Sequence, residues 1–225
     1  MSARDRMLGD IREALGRGRL PPEEREALER RLRFPRANVV PARGQQEGAA
    51  RIDTFIAEAE RVNATTERLE GWRRVPAAVA AYLRGHNLPM TVRAATDPAL
   101  AGLPWADEPG LSAQGGAAEA EDLVSVTSAF AGIAETGTLM LLSGPASPTS
   151  LNFLPADHLV AVARERIVGT YEDAFMLLRA EIGIALPRVV NWITGPSRTA
   201  DIEQTLLLGA HGPRRLHIMV IDGER

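Results

Sequence analysis

The segment LVSVTSAFAGIAETGTLMLL, residues 123–142, holds two short apolar runs on either side of a glycine-rich turn. Runs of this length that are rich in Val, Leu and Ile, with Gly, Pro or Ser near their ends, predict buried β-strands. The second half of the chain therefore predicts five strands. They are Leu123 to Thr127, Thr138 to Leu142, His158 to Ala163, Val189 to Ile193 and Leu216 to Ile221.

Helical and extended patterns alternate around this segment. Such alternation favours a largely parallel sheet with covering helices, so we predict a three-layer α/β domain over residues 49–225. Residues 105–121, rich in Gly, Ala, Asp and Glu, predict a long exposed loop. The helices are expected at residues 49–64, 75–84 and 171–184, and the additional strands at residues 65–69 and 90–94.

Residues 1–48 predict a helical extension and a linker instead of a second core. Residues 5–15 carry a single apolar stripe, and residues 23–34, which follow a pair of prolines, have still fewer apolar side chains. Residues 36–48 predict the linker. We expect the extension to lie against a surface or a partner.

The residue types that are missing restrict the chemistry. The 225 residues include no cysteine, which excludes disulfides, a cysteine nucleophile, thiolate zinc sites and ordinary protein-ligated iron–sulfur clusters. They also include no lysine, which removes Schiff-base chemistry and the phosphate-binding lysine of a P-loop. No dinucleotide-binding glycine turn and no nucleophile elbow follows a strand. We therefore predict no cofactor.

Charge and hydropathy indicate which partners to expect. The formal net charge is −3, and the 11 Arg of the first 43 residues are interspersed with 7 Asp and Glu, so we expect no nucleic-acid partner. No apolar run approaches the length of a membrane span, and the N-terminus has no signal-peptide pattern. We therefore predict a cytoplasmic protein without a membrane span.

The turn between the first two strands, residues 132–138, is the first motif with chemical potential. It places the carboxylate of Glu135 beside the hydroxyls of Thr136 and Thr138, and Gly137 permits a tight turn or a close approach to a ligand. Glu135 suits a general base, an acyl-accepting nucleophile or an acceptor for a substrate hydroxyl. The alternative is that its carboxylate accepts hydrogen bonds from backbone amides in a turn.

The second motif, residues 194–203, follows a predicted strand and suits a small anion. The amides of Gly195 and Ser197, the hydroxyl of Ser197 and the guanidinium of Arg198 are all donors that a carboxylate or phosphate accepts. The alternative is a loop capped by Ser and Asp, with the arginine in an ion pair. Further predicted ligand contacts are the hydroxyl of Thr199 and the carboxylates of Asp201 and Glu203.

The third motif, residues 209–215, holds a histidine between glycine-containing turns. An exposed His211 suits proton transfer, and Arg214 follows within reach of an anion. A loop histidine more often bonds its own backbone. The chain contains no His-x-x-x-His pair, so we predict no metal; only a long-range meeting of His211 with Asp201 or Glu203 would create a metal site.

Together, the three motifs resemble those of the lactate-utilization protein C family (LutC/YkgG type), which contains the LUD domain. The matching patterns are Ile-Ala-Glu-Thr-Gly-Thr at residues 133–138, Gly-Pro-Ser-x-Thr-Ala-Asp-Ile-Glu at 195–203 and Gly-x-His-Gly-Pro at 209–213. More weakly, the similarity extends over Arg51 to Asp222, and the first 50 residues are variable.

The resemblance implies a fold similar to the NagB/RpiA/CoA-transferase group. It further implies an accessory or ligand-binding subunit in the oxidation of L-lactate to pyruvate, acting beside iron–sulfur partner proteins. In that site Arg198 or Arg214 would pair with a substrate carboxylate, and Glu135 or His211 would handle a proton. A stand-alone enzyme of the CoA-transferase or cyclo-ligase kind that uses Glu135, and a scaffold without a ligand, remain alternatives.

Overall fold

The structure is a computed structural model of the chain. It describes residues 2–16, 18, 20–34, 39–183, 186–199, 207–208 and 211–223. Contacts between residues group the chain into two units, Met1–Val39 and Val40–Arg225. The domain boundary at residues 48 and 49 stays a prediction.

The first unit contains two helices, α1 (Ala3–Ala14) and α2 (Pro22–Arg33), which confirms both helices predicted there. Helix α1 begins with a capping box, in which the Ser2 side chain accepts from the Asp5 amide and the Asp5 side chain accepts from the Ser2 amide. Neither helix has a buried residue. Their apolar side chains therefore add nothing to a core.

The second unit alternates helices and strands in the predicted way. Its helices are α3 (Gly48–Arg61), α4 (Val75–Gly85), α5 (Pro98–Ala101) and α6 (Tyr171–Ile182). Its strands are β1 (Thr65–Leu69), β2 (Thr91–Ala94), β3 (Ser112–Gly115), β4 (Val124–Ser128), β5 (Ala131–Ile133), β6 (Thr138–Leu142), β7 (Asp157–Ala163), β8 (Ile167–Val168), β9 (Val190–Ile193), β10 (Arg198–Thr199), β11 (Leu207–Leu208) and β12 (Arg215–Ile221).

Six strands form a parallel sheet in the order β1-β12-β7-β4-β2-β3, which confirms the α/β class and the parallel sheet. Every residue of β7 is buried, and β12 is buried from its second residue onward. Strands covered on both faces lack the alternation of half-exposed strands, which is why both appear in the sequence as continuous apolar runs.

A second sheet of four strands, in the order β8-β5-β6-β9, was not predicted. Strands β5 and β6 form an antiparallel hairpin, and β6 pairs antiparallel with β9. Apolar side chains of α3 and β6 pack against those of β7 and β12. The other face of the hairpin packs against α6. The second sheet therefore lies between the parallel sheet and α6.

The predicted loop over residues 105–121 is wrong in part, because β3 lies inside it and adds an edge strand beside β2. Its sequence, Ser-Ala-Gln-Gly, has no branched apolar residue, so it carries no strand signal. Within the described part of the chain, no helix is both long and apolar enough to cross a bilayer.

Candidate functional site

The second and third motifs meet at the amino ends of β7 and β12. The amide of Ser197 donates to the carbonyl of Pro213 at 2.8 Å. Gly212 lies directly against Ser197, since a Cβ on Gly212 would be 3.3 Å from the Ser197 Cβ. The two loops therefore form one wall, although the second motif follows a strand of the four-stranded sheet and the third precedes a strand of the parallel sheet. The three motifs therefore do not border a single sheet.

These loops enclose a cavity of about 220 Å³, which we call the motif pocket. Its lining combines aromatic, hydroxyl, imidazole and amide groups without a carboxylate or guanidinium among the described residues. The lining residues are Asn152, Phe153, His158, Trp192, Ile193, Thr194, Gly195, Pro196, Ser197, His211, Gly212, Pro213 and Leu216.

His158 is the most deeply buried ionisable group of the motif pocket. Its side chain is fully buried, and burial lowers the pKa of His158 to about 3, so the imidazole is neutral at neutral pH. Its Nε2 lies 2.7 Å from the hydroxyl of Thr127. Its Nδ1 has no hydrogen-bond partner among the described residues. Nδ1 is therefore an unused acceptor or donor, depending on which nitrogen carries the proton.

Asn152 also lines the motif pocket and has a buried polar atom. The residue is 3% exposed, and its Oδ1 also lacks a hydrogen-bond partner within the described chain. A buried polar atom without a partner costs about 1–3 kcal/mol, so two of them beside one cavity need an explanation. A ligand that hydrogen-bonds both atoms would remove this cost.

Glu135 lies outside the motif pocket. It belongs to the hairpin turn between β5 and β6, is 6% exposed and accepts a hydrogen bond from the Tyr171 amide at 3.2 Å. Tyr171 is the first residue of α6, so the carboxylate stabilises a helix N-terminus, where negative charge is favourable. The geometry favours the structural alternative for Glu135 over the catalytic one.

A cluster of four hydroxyls connects the first motif to the motif pocket. The hydroxyl of Thr138 lies 2.7 Å from that of Thr136, 2.9 Å from that of Tyr171 and 2.7 Å from that of Thr194. Thr194 also lines the motif pocket. The predicted ligand residues Thr136 and Thr138 therefore support the wall of the pocket from behind.

Gly137 and Gly195 lie against the backbone at the end of α3, where a larger residue would not fit. Both have positive φ, +64° and +73°. A Cβ on Gly137 would overlap the backbone of Ala59, and one on Gly195 would overlap the carbonyl of Val62. The two glycines permit close packing of the first and second motifs against one helix end, so packing accounts for both.

Several of the groups predicted to donate to an anion already donate to protein carbonyls. The Ser197 amide is occupied by Pro213, and the guanidinium of Arg198 donates to the carbonyl of Val62. Arg214 is exposed, and its described hydrogen bond is made by the amide to Ala156. The Ser197 hydroxyl and the exposed imidazole of His211 do line the cavity. Of the predicted donors, these two side chains reach the pocket.

Two predicted ligand residues, Asp201 and Glu203, lie outside the described residues. Thr199 pairs through its backbone with Leu207, and its side chain is outside the described part. Their roles, and a meeting of His211 with either carboxylate, stay predictions.

Sequence reasoning missed His158 and Asn152. His158 begins an apolar run, where a histidine is usually a satisfied core residue, and Asn152 lies in the short turn Thr149–Asn152 before β7. Their position near the amino end of a buried strand is the one available signal. It indicates burial but not that an atom would lack a partner.

Comparison with known proteins identifies the same segment of the chain. Residues 120–221 match the family model of the LUD domain. Lactate utilization protein C of Geobacillus sp. (strain WCH70) and of Bacillus subtilis (strain 168) are each 36% identical, over 100 and 102 residues. An uncharacterized protein of Neisseria meningitidis serogroup B is 41% identical over 90 residues.

These matches are partial. Each of the first two covers 44% of this chain and 42% of the relative, and the third covers 40% and 38%. The matched segment is therefore about two fifths of the length of these curated relatives.

A solved structure supports the fold over a longer stretch. The crystal structure of a DUF162 family protein from Deinococcus radiodurans superposes with a TM-score of 0.59 at 22% identity, covering 78% of this chain and 99% of that one. Residues 120–221 match the LUD domain, and over about 100 residues the chain is similar to proteins named Lactate utilization protein C.

Proposed function

We propose that the chain is a ligand-binding accessory subunit of L-lactate oxidation and that its motif pocket binds a small 2-hydroxy or 2-oxo acid of the lactate and pyruvate type. One observation carries the proposal: two of the three family motifs meet around His158 and Asn152, each with a buried atom that lacks a partner in the described chain. The assignment to lactate oxidation rests on the names of the similar proteins, which are called Lactate utilization protein C.

The size of the motif pocket suits a ligand of a few atoms. At about 30 Å³ per water, its 220 Å³ corresponds to roughly seven waters, too little for a nucleotide but enough for a three-carbon acid. The aromatic side chains of Phe153 and Trp192 provide an apolar wall for a short carbon chain.

The polar groups of the pocket match the two functional groups of such an acid. Neutral His158 and the amide of Asn152 are suited to a hydroxyl or a keto oxygen, because each offers both donor and acceptor atoms. The carboxylate would lie toward the Ser197 hydroxyl and the exposed His211 imidazole, both of which can donate a hydrogen bond.

The role is a non-redox one. Without cysteine the chain has no thiolate for an iron–sulfur cluster, so electrons from lactate would pass to the clusters of iron–sulfur lactate-utilization partners. We place this system in the cytoplasm. We also propose that the fold is related to the NagB/RpiA/CoA-transferase group. The LUD-type domain would begin at residue 49.

Asn152→Leu tests the binding claim. Leucine has a similar volume and removes the unpartnered polar atom, so the variant should be at least as stable as the parent protein yet lose affinity for lactate and pyruvate. Asn191→Leu is the matched control, because Asn191 is also buried with an unpartnered amide nitrogen within the described chain but does not line the pocket.

Calorimetric titration with L-lactate and pyruvate measures binding, and urea denaturation measures stability. We expect binding in the parent and in Asn191→Leu, but not in Asn152→Leu. Equal affinity in the parent and Asn152→Leu, or no binding in the parent, would contradict the ligand assignment.

Reconstitution tests the pathway role. The purified chain should raise the rate of lactate oxidation when it is added to the iron–sulfur partner proteins, and Asn152→Leu should raise it less. A rate that is the same with and without the chain would rule out the subunit role.

A further inference from the structure

A larger cavity, of about 680 Å³, lies at the opposite end of the parallel strands. We call it the switch-point pocket. Ser128 ends β4, Ala163 ends β7 and Asp97 follows β2, and all three line the cavity. The cavity therefore opens at the carboxyl edge of the sheet, whereas the motif pocket lies at the amino edge.

The strand connections make this position a favoured ligand site. The chain leaves β2 toward the edge strand β3, but it leaves β4 in the opposite direction, toward β7. Strands β2 and β4 are neighbours, so the strand order reverses between them. Ligands of open α/β sheets bind at such a reversal, outside the carboxyl ends of the strands.

Asp97 presents an unused acceptor at this reversal. Its Oδ1 accepts a hydrogen bond from the Ala99 amide at 2.8 Å and caps α5. Its Oδ2 is buried and has no hydrogen-bond partner among the described residues. A single carboxylate oxygen is enough for the cap, which leaves the second for a hydroxyl or amine donor of a ligand.

The charges around the cavity disfavour an anion. Three carboxylates line it, those of Asp97, Glu165 and Glu181, against one guanidinium, that of Arg166. Arg166 is already paired with Glu181 at 2.6 Å, and its guanidinium carbon lies 5.4 Å from the centre of the Phe130 ring. A phosphate or carboxylate group in the cavity would therefore meet net negative charge.

We propose that the switch-point pocket binds an uncharged, hydroxyl-bearing ligand with a flat ring, the chemistry of a nucleoside. Asp97 Oδ2 accepts from a ribose hydroxyl, the role that acidic residues have in many nucleotide-binding α/β folds. Phe130, Trp72 and Ala129 belong to the apolar part of the lining, where the planar base packs. A volume of 680 Å³ is within the range of small-molecule sites, about 300–1,000 Å³.

Adenosine is the probe, and AMP is its charged counterpart. Isothermal titration of the full chain should show adenosine binding at a concentration on the order of 1 mM or below, with AMP weaker. Asp97→Asn keeps the helix cap, since asparagine is as good an N-cap residue, but replaces one carboxylate oxygen with an amide donor. It should weaken adenosine binding by about tenfold or more.

Asp107→Asn is the matched control, because the substitution makes the same change in net charge. Asp107 is exposed and does not line the cavity. Its affinity for adenosine should equal that of the parent. No adenosine binding by the parent, tighter binding of AMP than of adenosine, or equal losses in the two variants would each overturn the proposal. None of these results depends on lactate binding in the motif pocket.

Discussion

The two ends of the parallel strands carry pockets of different character. At the amino ends of β7 and β12 the motif pocket is small, and its described lining includes no carboxylate and no guanidinium. At the carboxyl ends of β2, β4 and β7 the switch-point pocket is about three times larger and lined by three carboxylates and one guanidinium. Family motifs identify the first site, and strand topology identifies the second.

The second and third motifs and the reversal of strand order thus lie at opposite edges of the parallel sheet. The topological rule places ligands where parallel strands end, but the second and third motifs lie where β7 and β12 begin. The third motif leads directly into β12, whereas the second is brought there by the four-stranded sheet, whose strand β9 delivers Thr194 to the amino edge. The packing of that second sheet is therefore what the motif pocket depends on most.

Gly137→Ala should break this packing with the largest effect. An alanine there adopts an unfavourable φ, and its Cβ overlaps the backbone of Ala59 in α3, which cannot move away as a flexible side chain would. We expect a loss of about 3–5 kcal/mol in the free energy of unfolding, measured by urea denaturation.

Gly110→Ala is the control for that change. Gly110 also has a positive φ, +79°, but a Cβ there would meet nothing within 4 Å. Its cost should be about 1–2 kcal/mol, from the backbone conformation alone. Equal losses in the two variants would show that contact with α3 is not what Gly137 provides.

An aspartate pair compares the two edges of the sheet directly. Asp157 is fully buried, accepts from the Tyr82 hydroxyl at 2.7 Å and pairs with Arg215 at the amino edge. Asp222 pairs with Arg68 at 2.8 Å at the carboxyl edge, where the arginine is as exposed as Arg215 but the carboxylate is 27% exposed instead of fully buried. Asp157→Asn should cost about 2–3 kcal/mol, because the buried carboxylate accepts from both Tyr82 and Arg215 and the variant loses its charge.

Asp222→Asn should cost less than about 1 kcal/mol, as expected for an exposed ion pair. Thermal or urea denaturation of both variants at pH 7 measures the difference. A larger loss from Asp222→Asn would mean that the carboxyl edge, and not the amino edge, is held by the stronger polar contacts.

The sequence predicted strands well where burial is complete. Strand β6 occurs at the predicted residues, because its buried apolar run ends at residues that break the pattern. Strand β1 also occurs where it was predicted, although only its last residue is buried. Strands β3 and β5 were missed. Strand β3 is four residues without a branched apolar side chain, and β5 is only the three residues Ala-Gly-Ile, so neither shows the alternation of apolar and polar residues that predicts a strand. Without β5 the hairpin, and with it the second sheet, could not be inferred.

The site was predicted less completely than the fold. The loops of the second and third motifs do meet, and Ser197 and His211 line the same cavity. The roles of Glu135 and Arg198 depend on what packs against them, an α6 amide and the Val62 carbonyl, which no spacing in the sequence indicates. Sequence patterns do not predict which distant residue a single polar atom will contact.

The histidines allow a pH test of the amino edge. Burial lowers the pKa of His158 to about 3 and that of His217 to about 4, both below the value of about 6.5 in the unfolded chain. Protons then bind preferentially to the unfolded state, so stability is full above pH 6.5 and falls as the pH drops below it.

Between pH 7 and pH 5 we expect a loss of about 2 kcal/mol for each of these histidines. His158→Leu should remove about half of the total, measured by urea denaturation at the two pH values. The carboxylates with a lowered pKa, such as Asp222, act only at lower pH. A pH dependence that is unchanged in His158→Leu would mean that His158 is not neutral in the folded protein.

Glu135→Gln should have the smallest effect, although Glu135 is the residue that the sequence placed nearest to catalysis. Glutamine retains an oxygen that can accept from the Tyr171 amide, and only the favourable charge at the N-terminus of α6 is lost. We expect a decrease of about 0.3–1 kcal/mol in stability and unchanged affinity for lactate. Glu135→Ala, which leaves the Tyr171 amide without its acceptor, should cost about 1–3 kcal/mol. If Glu135→Gln instead abolishes lactate-dependent turnover in the reconstituted system while the protein stays folded, Glu135 has the catalytic role, and the hairpin turn, not the motif pocket, is the site of chemistry.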